Sequence, residues 1–448
     1  MNKITAKIFL AFLLIVNLSF VNGQCLPDGI FFNTQQQIDD FPSDFPGCTI
    51  IEGDVELNGF SDITNLNGLS QIEEIQGDLW IQESDNLIDL SGLDNLHTIG
   101  GFLKIVGNDD LINFHGLENL SSLGGQLYIE NNINLENISA LINITEINMD
   151  LSILGNTVLN SLNGLENLTT VFGNVTIENS TFENLYGLES LVTIEGRLLI
   201  SRNDSLLNLV GLNNLTSVGW ELSIAENSVL ESLIGLDSLT TIDGSCNISL
   251  NYNLISISSL ANLTTINGDF YFGSNFAIPS LAGLEGLISI NGFLNLVSNF
   301  QLTNIEALRN INAASITFLY IQNNTLLSEC AIKSVCDFLD LNTSNTNIVL
   351  NAIGCYTRQE VEDACALGTE ENQLAKLKIF PNPTNNSFEV SGLQNGVIEI
   401  IDSQGRTVKQ LDLGENSYSI SELSAGIYFI KITSENSSVT KQLIKYNK

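Results

Sequence analysis

A repeat of about 24 residues constrains this chain more than any other feature of its sequence. Each unit keeps the same apolar and glycine positions, and only the unit at Gly173 is a residue short. Such a constant register is typical of a solenoid in which each unit forms one turn. The units begin at Gly53, Gly77, Gly101, Gly125, Met149, Gly173, Gly196, Trp220, Gly244, Gly268, Gly292 and Thr317.

The unit has inward positions that recur along the chain. Counted from its first residue, positions 3 and 5 are apolar, as in Leu79 and Ile81, which predicts a short strand with one buried face. Position 17 is leucine in all eleven complete units, and position 16 is usually glycine, which suits a tight corner. We therefore predict an all-β fold, a β-helical leucine-rich solenoid of about 12 coils with capped ends.

Asparagine occupies position 8 in nine of the twelve units. Inward asparagines in stacked coils can bond the backbone and one another as a ladder. The alternative interpretation is a row of amides that binds a ligand. These residues are Asn108, Asn132, Asn156, Asn203, Asn227, Asn251, Asn275, Asn299 and Asn324.

The segments GLENLTTV at 164–171, GLNNLTSVG at 211–219 and GLDSLTTIDG at 235–244 resemble the repeat of the receptor L domain. That family is the leucine-rich solenoid of insulin-receptor and growth-factor-receptor ectodomains. The resemblance covers roughly residues 25–365 and implies the same kind of solenoid. The array is longer than one such domain, so the family's ligand surface is not carried over.

The chain is strongly acidic, with a formal charge of −35. Residues 1–23 have the features of a signal peptide, since Lys3 and Lys7 precede an apolar core at 8–16. The charge of the mature chain argues against nucleic acid and anionic membranes as partners, and it also keeps a leucine-rich surface soluble. No later stretch has 18 consecutive apolar residues, so we expect no membrane span in the mature chain.

Six of the seven cysteines lie outside the regular coils and are expected to form disulfides in an exported protein. Cys25 with Cys48 is the simplest first bridge. Three pairings are open for the other four, among them Cys330–Cys355 with Cys336–Cys365, and zinc is a rival that lacks a C-x-x-C pair. Cys246, at position 3 of its unit, is expected to be a buried free thiol.

The repeat and its flanks divide the chain into segments. Residues 24–52 are predicted to form an N-terminal cap, 53–328 the solenoid, and 329–365 a helical, disulfide-rich cap. Residues 366–376 are polar and are interpreted as a linker. Beyond them, short alternating runs separated by turns predict a small β-sandwich over 377–448.

Four motifs in this last segment are FPNPT at 380–384, IDSQGR at 401–406, LSAGIYFIKI at 423–432 and KQLIK at 441–445. Together they closely resemble the type A C-terminal sorting domain of the type IX secretion system of Gram-negative bacteria. The resemblance implies export by that machinery, followed by release or attachment at the cell surface. It leaves open whether the domain is cleaved off. The matching motif residues are Pro381, Asn382, Pro383, Asp402, Gly405, Gly426 and Tyr428.

Signals for catalysis or cofactors are few. His97 and His115 lie outside any metal or nucleophile motif, and we assign no catalytic residue. Carboxylates recur at position 18, where stacked coils align them, and the row is either a calcium site or a solvated stripe. No cofactor is predicted. The carboxylates are Asp94, Glu118, Glu166, Glu189, Asp237 and Glu285.

Aromatic residues at outward positions of the first strand form a candidate binding face. We expect a non-enzymatic surface or secreted protein that binds a glycan or another protein. The alternatives are a polysaccharide-active β-helical enzyme and a passive surface spacer. The ring-bearing residues are Trp80, Phe102, Tyr128, Tyr271, Phe293, Phe318 and Tyr320.

Overall fold

The computed structural model describes residues 23–60, 62–341, 344–391, 396–414, 417–434 and 437–446. Residues 1–22 of the signal peptide predicted for residues 1–23 lie outside the described residues. The described part is a β-solenoid followed by two small antiparallel sheets, as the sequence predicted. Nowhere in these ranges is a helix long and apolar enough to cross a bilayer.

One long parallel sheet runs the length of the solenoid and is called the long sheet below. Within the described ranges it has fourteen strands. Leu127, for example, pairs with Leu103 on one side and Leu151 on the other, so neighbouring strands are one 24-residue unit apart. The strands are Ile30–Phe32, Val55–Leu57, Leu79–Gln82, Leu103–Val106, Leu127–Glu130, Leu151–Leu154, Val175–Glu178, Leu198–Ser201, Leu222–Ala225, Cys246–Ser249, Phe270–Gly273, Phe293–Val297, Phe318–Gln322 and Thr346–Val349.

A second side of the solenoid carries strands of two residues at positions 22 and 23. They form two parallel sheets that are interrupted between Leu123 and Glu146. The third side has isolated bridges, such as Asn113 with Asn137, in place of strands. The short strands are Gln24–Cys25, Ile50–Ile51, Glu74–Ile75, Thr98–Ile99, Ser122–Leu123, Glu146–Ile147, Thr170–Val171, Thr193–Ile194, Ser217–Val218, Thr241–Ile242, Thr265–Ile266 and Ser289–Ile290.

Seven of the eight glycines of position 16 form a corner with positive φ, and the eighth, Gly68, lies in the 3₁₀ turn Asn67–Leu69. Gly92 and Gly211 have φ of 109° and 120°. A Cβ on Gly211 would lie 1.9 Å from the carbonyl oxygen of Leu185, so only glycine fits. Where alanine or serine replaces glycine, the corner becomes a 3₁₀ turn, at Ser139–Leu141, Ser258–Leu260 and Glu306–Leu308.

The corner after the long sheet was not predicted. Position 7 is left-handed in successive coils, with φ of 49° at Glu83, 55° at Arg202 and 59° at Leu250. These residues do not favour this conformation. Glycine or asparagine, which favour the left-handed conformation, occupy five of the eleven such positions, and the closure of the coil imposes it on the other six.

The leucines of position 17 are buried along the whole solenoid, in one continuous core. Leu188 and Leu212 occupy this position in neighbouring units, and both are fully buried. The predicted register therefore places the correct residues inside.

Leu212→Ala tests this register. Because the side chain is fully buried, we expect a loss of about 2–5 kcal/mol of unfolding free energy. Leu207→Ala is the matched control, since Leu207 is 39% exposed, and it should change stability by about 0.5 kcal/mol or less. Denaturant unfolding of the mature chain measures both. Equal losses for the two variants would contradict the register.

The solenoid ends are capped, as expected. Helix α1, Gln35–Asp44, covers the N-terminal end, and Thr34 opens it with a capping box that includes Gln37. Helix α2, Lys333–Asp340, lies at the other end, where Val335 and Phe338 join the solenoid core. Disulfides join Cys25 to Cys48, Cys330 to Cys355 and Cys336 to Cys365, the pairings named above, and Cys246 is a buried free thiol.

Two features of the C-terminal cap differ from expectation. The cap contributes strand Thr346–Val349, which extends the long sheet beyond residue 328. Helix α3 was expected to end near Cys365, but it continues over Arg358–Lys376 and includes the segment interpreted as a linker. Its residues 366–376 are rich in good helix formers, which explains the extension.

The C-terminal domain has two antiparallel sheets. One contains Lys378–Phe380, Ser387–Ser391 and Tyr418–Ser419, and the other Val397–Ile401, Thr407–Asp412, Gly426–Ser434 and Ser437–Lys445. Their buried residues, from Leu377 to Leu443, form a hydrophobic cluster separate from that of the solenoid. This is the small sandwich that the alternating runs predicted.

Candidate functional site

The outward face of the long sheet carries the side chains of positions 2, 4 and 6. Strands such as Leu79–Gln82 alternate buried and half-buried residues, so position 4 points outward. Because the strands are in register, position 4 forms one continuous row that runs from Glu56 to Asn347. Five of the seven predicted rings form two clusters on this face.

The first cluster contains Trp80 and Tyr128, with Lys104 between them in the row. The Lys104 ammonium lies 5.3 Å from the centre of the Trp80 ring and 5.7 Å from that of Tyr128. The Tyr128 hydroxyl donates a 2.6 Å hydrogen bond to Glu130, and burial together with this bond raises the pKa of Tyr128 to about 12. The inner faces of both rings are therefore occupied by a cation.

The second cluster contains Phe293, Phe318 and Tyr320. Phe318 and Tyr320 stack with ring centres 4.2 Å apart, and Phe293 meets Phe318 edge-on at 5.9 Å. Tyr271 lies two strands from Tyr320 in the row. Its ring covers Gly273, where a Cβ would lie 2.6 Å from the Tyr271 hydroxyl oxygen. Phe102 belongs to neither cluster and rests half-buried against Gly125.

Between the clusters, the row at position 4 holds mostly small or polar residues. Ser152 and Ser223 are nearly buried there although they point outward, because larger neighbours cover them. The face thus has two ring-bearing ends and a polar middle. The residues of this middle are Ser152, Thr176, Leu199, Ser223 and Asn247.

Sequence reasoning missed several exposed rings outside the strands. Tyr252, Phe276 and Phe300 occupy position 9 of three consecutive units and stack at 4.9 and 4.8 Å between centres. Trp220 is 60% exposed and lies 4.9 Å from the Arg197 guanidinium. The recurrence of aromatic residues at position 9 was the available signal, but this position lies outside the predicted strand.

The asparagines of position 8 form a buried ladder. The Asn227 amide donates to the carbonyls of Ile200 and Ala225 at 3.0 and 3.1 Å and to Asn251 at 3.3 Å. Its own oxygen accepts from the backbone and side chain of Asn203 at 3.1 and 3.3 Å. The amides are satisfied within the core, which favours the ladder over the ligand-binding interpretation.

The carboxylates of position 18 have a role that the sequence did not suggest. Each accepts a hydrogen bond from the backbone N–H two residues earlier, as Glu118 does from Gly116 and Glu285 from Gly283, both at 2.8 Å. They therefore fasten the glycine corner. Within the described residues, no group of three or more His, Cys, Asp or Glu is placed to hold a metal ion.

The two histidines lie apart on the surface. His115 is 2.6 Å from Glu118, and this hydrogen bond raises the pKa of the imidazole. His97 contacts Thr98 at 3.2 Å. Neither contact forms a nucleophile–base pair or a proton relay with a third group.

The matching residues of the C-terminal domain hold its turns together. Asn382 donates to the carbonyl of Gln442 at 2.7 Å and accepts from the N–H of Ile444 at 2.9 Å, which ties the loop of Pro381 and Pro383 to the last strand. Asp402 accepts from the N–H groups of Gln404 and Arg406, and these bonds lower its pKa.

The other motif residues serve the same purpose. Gly405 has φ of 81° in the turn that Asp402 organises. The Tyr428 hydroxyl donates to the carbonyl of Ser424 at 2.9 Å, beside Gly426 at the start of its strand. These motifs are therefore built into the fold of the domain.

Comparison with known families agrees with both parts of this structure. The family described as Receptor L domain matches residues 47–148 and 142–223, and the family described as Secretion system C-terminal sorting domain matches residues 378–446. The same coil continues beyond residue 223 to Gln322. No curated protein matches the chain. The chain therefore joins a solenoid whose residues 47–223 match the receptor L domain to a type IX secretion sorting domain, and it is secreted or attached to the outer-membrane surface of a Gram-negative bacterium.

Proposed function

We propose that the mature chain is a non-enzymatic binding or adhesion protein, and that the outward face of the long sheet is its binding surface. The supporting observation is the clustering of rings at the two ends of one rigid, in-register face. Rigid rings lose little conformational entropy on binding, and aromatic residues are enriched in binding surfaces. The export signal places this face outside the cell, where glycans and proteins are the available ligands.

A screen of the immobilised mature chain against glycan arrays and surface-protein extracts tests this proposal. Combined replacement of Trp80, Tyr271 and Phe293 by alanine should weaken binding of the captured ligand by about tenfold or more. Tyr186→Ala is the matched control, because Tyr186 is 50% exposed but lies in a corner of the coil away from this face. An equal loss from the control, or no ligand in any screen, would contradict the proposal.

A further inference from the structure

A stretch near the C-terminal end of the solenoid differs from the rest in charge. Residues 53–243 contain 28 acidic residues, whereas residues 244–305 contain Asp269 and Glu285 and no lysine or arginine. Most of the solenoid therefore repels anions, but these coils present an almost uncharged surface. Depletion of charge together with exposed rings is characteristic of a binding surface rather than of a solvated one.

From these coils to the C-terminal cap, position 4 of the long sheet alternates between amide and ring. Strand register aligns Asn247, Tyr271, Asn295, Tyr320 and Asn347 as consecutive neighbours, called the amide–ring row below. Neighbours in the row are about 4.8 Å apart, so the two rings are separated by about 9.6 Å with an amide between them. A repeating ligand of matching period can thus place one unit on each ring.

Two of the amides have unused hydrogen-bonding capacity. The side-chain oxygens of Asn247 and Asn295 are buried and have no hydrogen-bond partner. Leaving a buried acceptor unpaired costs about 1–3 kcal/mol. Both side chains are only half-buried, so a turn of the amide brings its oxygen to the surface, where a ligand donor can pair with it. Small hydroxyl groups are donors that fit between two rings set two strands apart.

The Tyr271 ring is held as a platform. It lies against Gly273, the one residue of its strand without a side chain, and a Cβ there would lie 2.7 Å from the nearest ring carbons. Tyr271 is 36% exposed. Tyr320 is fixed in a different way, by stacking on Phe318 at 4.2 Å. Both rings are pre-oriented, which reduces the entropy lost on binding.

We infer that the amide–ring row binds an extended, uncharged glycan, with sugar faces on Tyr271 and Tyr320 and sugar hydroxyls donating to Asn247 and Asn295. This inference rests on the proposed binding function and specifies its ligand. Sugars combine an apolar face with hydroxyl donors, which is the chemistry that the row presents. The flanking acidic coils disfavour an anionic polysaccharide. The cluster of Trp80 and Tyr128 is a poorer platform, because Lys104 occupies the space between its rings.

Calorimetric titration of the mature chain with linear neutral oligosaccharides of increasing length tests this inference, with polygalacturonate and alginate fragments as anionic counterparts. We expect neutral chains to bind, with affinity that rises until the chain spans the row, and anionic chains to bind more weakly. Tyr271→Ala should lower the affinity by about tenfold or more. Tyr186→Ala, the same change at an exposed ring in a corner of the coil away from this face, should leave it unchanged.

Gly273→Ala distinguishes an effect on the position of the Tyr271 ring from an effect on stability. The added Cβ displaces the Tyr271 ring, so affinity should fall, while stability should hold or rise because alanine is less flexible than glycine in a strand. Preference for anionic chains, or equal losses from Tyr186→Ala and Tyr271→Ala, would overturn the inference but leave the binding function intact. Capture of a protein ligand that is independent of Tyr271 would do the same. Failure to bind any glycan or protein would overturn the proposed function as well.

Discussion

Deletion of residues 377–448 should leave the solenoid folded and trap it in the periplasm. The two hydrophobic clusters are separate: the solenoid cluster ends at Val361 and Cys365, and the second cluster begins at Leu377. The cut therefore falls between cores and leaves the disulfide from Cys336 to Cys365 in place. The sorting domain, which carries the export address, is lost entirely.

Cell fractionation and circular dichroism of the purified truncated chain measure the two parts of this prediction. A chain that lacks only residues 447–448 is the control and should reach the cell surface or the medium. The reciprocal fusion of residues 377–448 to an unrelated periplasmic protein should carry that protein out. Normal export of the truncated chain would contradict the sorting role, and its unfolding would show that the two cores depend on each other.

The parts of the fold that were predicted correctly are those repeated in every coil. Position 17 carries leucine in each complete unit, and position 8 carries asparagine in most, so each prediction rests on many independent examples. Glycine at position 16 was equally informative, because a backbone contact such as that of Gly211 with Leu185 excludes any side chain. The repeats within this one chain thus showed which residue the fold requires at each of these positions.

Other features could not be predicted, because tertiary closure rather than residue type determines them. Glu83, Arg202 and Leu250 adopt the left-handed corner of position 7 without any shared chemistry. The extension of α3 had a signal in its helix-forming residues, but polarity alone suggested a linker. The conformation at position 7 depends on the closure of the coil, whereas the extension of α3 depends on local composition.

For the candidate site, the sequence predicted which side chains point outward but not their contacts. Strand alternation correctly placed Trp80, Tyr271 and Tyr320 on the outward face. It could not reveal that Lys104 lies between two rings or that Tyr271 folds over Gly273, since both depend on rotamers. For the position-18 carboxylates, the consistent spacing from glycine was a signal for the corner hydrogen bond.

The asparagine ladder should be the most sensitive part of the solenoid to substitution. Replacing Asn227 by alanine removes the donor to Ile200 and Ala225 and the acceptor for Asn203. Each group left buried and unpaired costs about 1–3 kcal/mol, so the total loss should equal or exceed that of Leu212→Ala. The ladder is unbroken from Asn203 to Asn351, so the loss also weakens the neighbouring rungs at Asn203 and Asn251.

Asn227→Ser is the matched variant for this test. Serine replaces asparagine naturally at Ser84 and Ser180, where its N–H still donates to the next rung, as Ser180 does to Asn203 at 3.1 Å. The Ser180 hydroxyl also bonds the carbonyl of Glu178 at 3.2 Å, so serine recovers part of what alanine loses. We expect stability to decrease in the order wild type, Asn227→Ser, Asn227→Ala.

Urea unfolding followed by circular dichroism measures this order, and hydrogen exchange shows where the solenoid opens. Because each coil contacts only its neighbours, exchange should accelerate first in the strands Leu198–Ser201, Leu222–Ala225 and Cys246–Ser249 around the altered rung. If Asn227→Ala costs less than about 1 kcal/mol, the ladder is not a major source of stability. The coils would then be held chiefly by their leucine core, and the asparagines would be retained for the shape of the corner.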